Sequence, residues 1–345
     1  MEKVRPENTC FPFFVGIDVG GTTIKMGILD DQGKTVGYSS IPTLGDNSPR
    51  EAISRIGQAL RTLASDHAIS SEKIESAGLG TPGTMDIPRG MILEPANLRG
   101  WRHFPIRDEL SRELGLPVTY ANDANAAAYG EYWVGSARQH NSLILLTLGT
   151  GVGGGIIVDG KSLDGETGHG GECGHVTIDT SENARLCSCG QRGHLEAYAS
   201  ATALVNRCVE SLDAGEKSEL GERHSRGEPL DGLMIAEAAE ADDPLAKRLV
   251  METADYLAVG IAIFVNIVDA STVILGGAMN FGGAKTTLGR QFLERVRSGV
   301  RARALPVVGE NVRIQFASLG GAAGYIGAAG LAREAYRLET ERTKS

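Results

Sequence analysis

No run of apolar residues in this sequence is long enough to cross a bilayer. The longest, Tyr256 to Val268, is interrupted by Gly260 and Asn266 and reads as a buried helix. The first stretch, MEKVRPENTCFPFFVGIDVGG, lacks the extended apolar core and small-residue cleavage site of a signal peptide. Cysteine is sparse and odd in number: five in all, with Cys10, Cys173 and Cys208 scattered. That argues against a disulfide framework and fits a reducing, cytoplasmic location. Positive charge is not in excess either. Lysine and arginine number 34 against 43 acids, a formal net charge of −9 with the signs interspersed. Such a balance disfavours nucleic acid or an anionic membrane as the main partner.

Glycine, by contrast, is abundant at 46 of 345 residues, and it clusters in loops after apolar runs, as expected where backbone approaches a ligand. The length exceeds what one core usually supports, so two domains are expected. An N-terminal α/β domain is placed over 12–121, completed by a C-terminal helix over 319–340, with a second α/β domain over 122–318. FFVGIDVGG reads as a buried strand ending in glycines, and TIKMGILDDQGKTV as strand, turn and strand. REAISRIGQALRTLA repeats apolar residues at helical spacing, and IESAGLG and PVTYAND read as further strands. The segment NSLILLTLGTGVGGGIIVDGK then repeats the opening pattern as a weak internal duplication. Paired α/β halves, each opening on a glycine-turned hairpin, imply domains facing a cleft.

Three motif matches fail on context. Gly78-x-Gly80-x-x-Gly83 meets Pro82 in an irregular loop, and Gly149-x-Gly151-x-x-Gly154 runs into a strand instead of opening a helix. GGAKTT, at 282–287, has the wrong glycine placement for a phosphate loop. DVGGT is more informative: a glycine turn between antiparallel strands aims N–H groups at a phosphate, Thr22 and Thr23 add hydroxyls, and Asp18 suits Mg²⁺. A plain hairpin turn is the alternative. The near-copy LGTGVGG favours a clamp of two facing turns around a nucleotide's phosphates.

In ANDANAAAYGEY, Asn122 and Asp123 either cap a helix or supply a carboxylate that accepts a hydroxyl proton during phosphoryl transfer. An ordinary aspartate is ionised at neutral pH. GECGH and CSCGQRGHLE bring His175, Cys187, Cys189 and His194 into about twenty residues of chain, a donor set that suits tetrahedral Zn²⁺. Four protein ligands leave no open position for water, so such a metal is structural. Free thiols in a turn are the bland alternative, and a redox role is weaker because Cys-x-Cys lacks the thioredoxin spacing.

Together, GIDVGGT, TPGTMD, NLRGW, NDANAAA, LGTGVGGG, GECGH, CSCGQRGHLE and VILGGAM resemble the ROK family of sugar kinases and sugar-responsive repressors. The resemblance implies the actin/hexokinase-like fold, two ribonuclease-H-like α/β domains with an interdomain cleft that closes over ATP and a hexose. It makes Asp123 the base acting on the sugar 6-hydroxyl and assigns hexose binding to Asn97, Asn122, Glu172, His175 and Glu196, with Gly83 in a sugar-facing loop. Asp18, Gly20, Gly21, Thr22, Thr23, Gly149, Thr150 and Gly151 match the phosphate and Mg²⁺ region, and Gly276 and Gly277 the adenosine site. His175 is implied to serve both zinc and sugar. One departure stands out: His194 occupies the place of the family's third cysteine. The implied activity is ATP-dependent phosphorylation of glucose, with mannose, fructose or N-acetylmannosamine as alternative sugars and a homodimer as the expected assembly. Only about a dozen residues precede FFVGIDVGG, short of a DNA-binding domain, and retention of both phosphate turns argues against a silent sugar-binding module.

Overall fold

Strand β1 (Phe13–Val19) is buried along nearly its whole length instead of on alternate residues, the signature of a strand covered on both faces. A computed structural model describes residues 9–95 and 98–344 and places β1 mid-sheet, in the order β3-β2-β1-β4-β7. The other strands are β2 (Thr23–Leu29), β3 (Thr35–Pro42), β4 (Ile74–Thr81) and, after the small hairpin β5 (Thr84–Asp86)–β6 (Met91–Glu94), β7 (Val118–Asn122). Helices α1 (Pro49–Asp66), α2 (Ile106–Leu114) and α3 (Asp123–Trp133) belong to the same region. β1 runs antiparallel to β2 and parallel to β4, and β4 parallel to β7.

The second sheet has the order β10-β9-β8-β11-β12. Its strands are β8 (Leu143–Leu148), β9 (Val152–Val158), β10 (Lys161–Ser162), β11 (Thr272–Gly276) and β12 (Arg313–Phe316). Substituting β8 for β1, β9 for β2, β10 for β3, β11 for β4 and β12 for β7 turns one strand order into the other, so the weak duplication in sequence is a full repeat of topology. Helices α4 (Glu196–Ala199), α5 (Ala201–Asp213), α6 (Gly221–Ser225), α7 (Gly232–Glu240), α8 (Pro244–Val268), α9 (Thr287–Arg301) and α10 (Pro306–Asn311) fall between these strands, and α11 (Ala323–Lys344) ends the chain.

Two compact units result: 1–141 with 155–171 and 318–345, and 142–154 with 172–317. The boundary read from the sequence, between 121 and 122, falls before the last residue of β7 and puts α3 in the second domain. The structure keeps α3 in the first unit because α3 packs on α11. That packing is unusually close. A Cβ on Gly327 of α11 would lie 1.5 Å from the Ala126 carbonyl oxygen, and Cβ atoms on Gly16 and Gly78 would lie 1.8 Å from carbonyls of Tyr325 and Ala328. The small-residue pattern of GGAAGYIGAAGLA therefore packs a helix onto both a sheet and a second helix. On the other face of the first sheet, Ile53, Ile56 and Leu60 of α1 and Leu110 of α2 fill the core, each burial contributing about 1.5–3 kcal/mol.

In the second unit, α8 is the long apolar element, and it packs chiefly on α9 and α7. Asp243 caps it by accepting from Ala246 N–H at 2.9 Å, and Asp269 ends it in the left-handed region at φ 53°. The helix extends well before the apolar run 256–268, so that among the described residues it alone has the length and hydropathy to cross a bilayer, contrary to the sequence reading. Most of that apolar window is buried inside the protein, as the reading of a buried helix expects. The sequence reading assigns no element to 287–316, where the structure forms α9, α10 and β12.

Candidate active site

The candidate residues of the first unit lie along one edge of its sheet. Parallel register sets Asp18 opposite Gly80, and Gly80 opposite Ala121, so the carboxyl ends of β1, β4 and β7 are level. Gly80 faces the start of α3 on this edge: a Cβ there would make ordinary contacts with Ala126 Cβ at 3.4 Å and Asp123 Cα at 3.6 Å. The Asp18 carboxylate sits against the first turn of α11, where a Cβ on Gly324 would come within 2.5 Å of it. Burial pushes this carboxyl above its ordinary value of 3.8, while Lys25, its cross-strand partner, pulls it back.

The turn from Gly20 through Gly21 to Thr22 is closed by Gly20 N–H donating to the carbonyl of Thr23, the first residue of β2, at 3.0 Å. Thr43 anchors it from outside. Its N–H donates to the Thr22 carbonyl at 2.9 Å and its hydroxyl to the Gly20 carbonyl at 2.7 Å. Thr43 is fully buried, yet no local motif marks it, because it acts on a residue 23 positions earlier. Gly83, just past β4, takes φ 88°, and a Cβ there would meet Pro95 Cα at 2.6 Å. Asn97 lies outside the described residues.

Asn122 ends β7 and caps α3, its side-chain oxygen accepting from Ala124 N–H at 2.9 Å. An Asp123 oxygen faces the same N–H at 2.8 Å. The capping role open to this pair is thus present, and a cap contributes about 1 kcal/mol. It leaves the second reading of Asp123 intact, since the residue opens its helix at the level edge of three parallel strands, where ligands bind in open α/β sheets.

In the second unit, β8 and β11 run parallel with Thr147 opposite Gly276. Their carboxyl ends carry Gly149–Gly151 and Gly276–Gly277, so these two glycine groups are neighbours. Gly277 takes φ 90°, with the Leu148 carbonyl oxygen only 2.2 Å from where its Cβ would be. The Gly149 turn is fixed to the start of α5: Ala201 N–H donates to the Gly149 carbonyl, and the Thr202 hydroxyl to the Thr150 carbonyl, both at 2.8 Å. Glu196 locks the other side, accepting from Val152 N–H at 3.0 Å and from the Ser188 hydroxyl at 2.6 Å. A Cβ on Gly151 would lie 2.3 Å from that carboxylate. Glu196 therefore joins the glycine turn to the cysteine loop, a link the sequence does not carry because Ser188 looks like an ordinary loop residue.

His175, Cys187, Cys189 and His194 converge, their donor atoms all within 4.8 Å of one another. Cys189 Sγ lies 3.2 Å from His194 Nδ1, and Cys187 Sγ lies 3.8 Å from His175 Nδ1. Tetrahedral Zn²⁺ with two sulfurs and two nitrogens sets its ligands roughly 3.3–3.8 Å apart, so these residues fit the ion. A tight turn shapes the loop, with Cys187 N–H donating to Gln191 and Gly190 N–H to Cys187, Gly190 sitting at φ 89°. His194 is held by bridging to Thr177. Burial pushes the Cys187 thiol up, so the thiolate needs a cation beside it. Cys173, its thiol pushed up to about 12 by burial and the neighbouring Glu172, is not one of the four. The other ring nitrogen of His175, Nε2, lies 3.8 Å from a Glu172 carboxylate oxygen. One imidazole thus faces the cysteine loop with one nitrogen and Glu172 with the other.

The model of the ROK family matches residues 14–335. A glucokinase of Halalkalibacterium halodurans is 37% identical over 322 residues, covering 93% of this chain and 95% of that protein. The crystal structure of a ROK hexokinase from Thermus thermophilus superposes with a TM-score of 0.78 at 32% identity, covering 96% of this chain and 99% of the other. A ROK family glucokinase from Streptomyces griseus, solved in complex with glucose and AMPPNP, gives 0.74 at 34% identity, covering 93% and 99%.

Proposed function

This chain belongs to the ROK family, and from that membership we propose that it transfers the γ-phosphoryl group of ATP to the 6-hydroxyl of a hexose, with glucose the preferred sugar. It is a sugar kinase, and its fold is the actin/hexokinase-like α/β fold of two domains. The observation that carries the activity is the similarity, over nearly the whole chain, to glucokinases, one of them solved with glucose and AMPPNP.

The proposed division of labour carries the family resemblance onto these residues. Asp123 takes the proton of the 6-hydroxyl as the new O–P bond forms and the bond from the γ-phosphorus to the ADP oxygen breaks. Asn122, Glu172, His175 and Glu196, with Asn97 and the Gly83 loop, hold the sugar. Gly20–Thr23 and Gly149–Gly151 lie along the phosphates, Gly276 and Gly277 beside adenosine, and Asp18 at the Mg²⁺ position. Mg²⁺, when bound, offsets the charge that builds on the transferred group. His175, Cys187, Cys189 and His194 would hold Zn²⁺, which supplies rigidity to the loop carrying Ser188 and thereby fixes Glu196. Most of the acceleration comes from positioning. Mannose, fructose and N-acetylmannosamine are the competing sugars; a homodimeric state and a cytoplasmic location belong to the same proposal.

The test is a coupled assay of a hexose panel with ATP and polyphosphate as donors. Glucose with Mg-ATP is expected to turn over best, and no phosphorylation of any hexose overturns the function. Asp123→Ala is expected to lower kcat by about 10²–10⁴-fold while calorimetry shows hexose binding retained; undiminished turnover removes Asp123 as the base.

A further inference from the structure

Glu131, on the same helix as Asp123, is a fully buried carboxylate that the mechanism above does not use. One of its oxygens, Oε2, accepts from Ser136 N–H at 2.7 Å, from the Ser136 hydroxyl at 2.7 Å and from the Ser318 hydroxyl at 2.9 Å. The other, Oε1, accepts from the N–H groups of Ser318 at 2.8 Å and Leu319 at 2.7 Å. Gly135 makes the approach possible, since a Cβ there would lie 2.3 Å from Oε2. A buried polar group is tolerated only when its lone pairs are satisfied in this way.

The identity of the donors gives the arrangement its meaning. The chain first leaves the unit that carries Asp123 after Asn141, and it finally returns to that unit at Ser318. Ser136 lies on the outgoing segment; Ser318 and Leu319 open the returning one. We propose that Glu131 is a positioning residue for phosphoryl transfer, tying the outgoing and returning crossings to the helix headed by Asp123. This rests on the kinase reading above. It predicts that loosening the tie misplaces Asp123 and lowers kcat, while Glu172, His175 and Glu196, which belong to the other unit, keep their contacts with the sugar.

Glu131→Gln tests it with little change of shape. An amide offers one accepting oxygen and one NH₂. The NH₂ must face either the single N–H of Ser136 or the N–H pair of Ser318 and Leu319. Hydroxyls can rotate to accept and N–H groups cannot, so the NH₂ is expected at the Ser136 side. Hydrogen exchange at the Ser136 amide should then quicken by about tenfold or more while Ser318 and Leu319 stay protected. In the assay, kcat should fall by about 10- to 100-fold with the glucose KM within about twofold of wild type. Ser318→Ala, which removes one hydroxyl and leaves every backbone donor, guards against a folding failure and should lower kcat by about threefold to tenfold. Unchanged exchange at Ser136 in Glu131→Gln, or unchanged kcat in both variants, overturns the proposal. So does a rise in glucose KM matching the fall in kcat, which marks a merely structural role. A wild-type protein that phosphorylates no hexose instead overturns the kinase reading, and exchange alone then decides whether the tie exists.

Discussion

At the residue scale, Asp18 shows how one carboxylate is set apart from its chemical type. It lies next to the end of a buried strand, against the first turn of α11, and burial raises its affinity for a proton despite Lys25. The folded state then binds that proton more tightly than the unfolded chain does. Stability from this group is full below the ordinary value of 3.8 and is lost as pH rises from there through the raised folded value. Asp18→Asn, without nucleotide, should therefore melt higher than wild type near neutral pH, by about 2–4 °C for each kcal/mol relieved, and the gain should vanish as pH falls toward 3.8. Melting curves across pH check this; a variant less stable at neutral pH shows that the ionised carboxylate is held by the fold. The same variant should lose the extra stabilisation that Mg-ATP gives wild type. The motif DVGGT identifies Asp18, but its proton affinity comes from burial, and the first turn of α11, some 300 residues later in the chain, packs against its carboxylate.

At the scale of elements, two glycines in similar loops answer different needs. Gly149 has nothing within 4 Å of the position its Cβ would take, whereas Gly277 would drive a Cβ to 2.2 Å from the Leu148 carbonyl oxygen at φ 90°. Gly149→Ala is expected to fold with an unchanged melting temperature and to raise the ATP KM if phosphate lies on that turn. Gly277→Ala should lose about 1–3 kcal/mol or more of stability through strain and overpacking. Calorimetry beside ATP kinetics separates the two, and an unaltered ATP KM in Gly149→Ala would remove that turn from the phosphate site. Most elements were legible: helical spacing marks α1 and α8, and β-branched runs marked by glycine show β1 and β8. The stripe Leu288, Phe292, Leu293, Val296 and Val300 of α9 is legible by the same rule. β12 is not, since four residues, RIQF, carry too little periodicity, and only pairing with β11 makes them a strand.

At the scale of the whole molecule, the sequence distances that matter are long. Zinc would join His175 to a loop closed by Cys187, Cys189 and His194, whose donor atoms the fold alone assembles. Purified protein is expected to carry about one zinc per chain and to melt at a lower temperature after chelation, because binding to the folded site adds to folding free energy. Metal analysis should show zinc depleted in His194→Ala and kept in His194→Cys; zinc unchanged in both removes His194 from the ligand set. The sequence by itself determined the family, the types of most elements outside 287–316 and the choice of candidate residues, because glycine turns, caps and ligand spacings are local and chemically specific. Tertiary structure decided that α3 belongs with α11, that Thr43 pins a turn far upstream of it, that Ser188 holds Glu196 and that Glu131 ties two crossings of the chain. Each of these depends on a hydrogen bond or close packing between segments that sequence spacing does not relate.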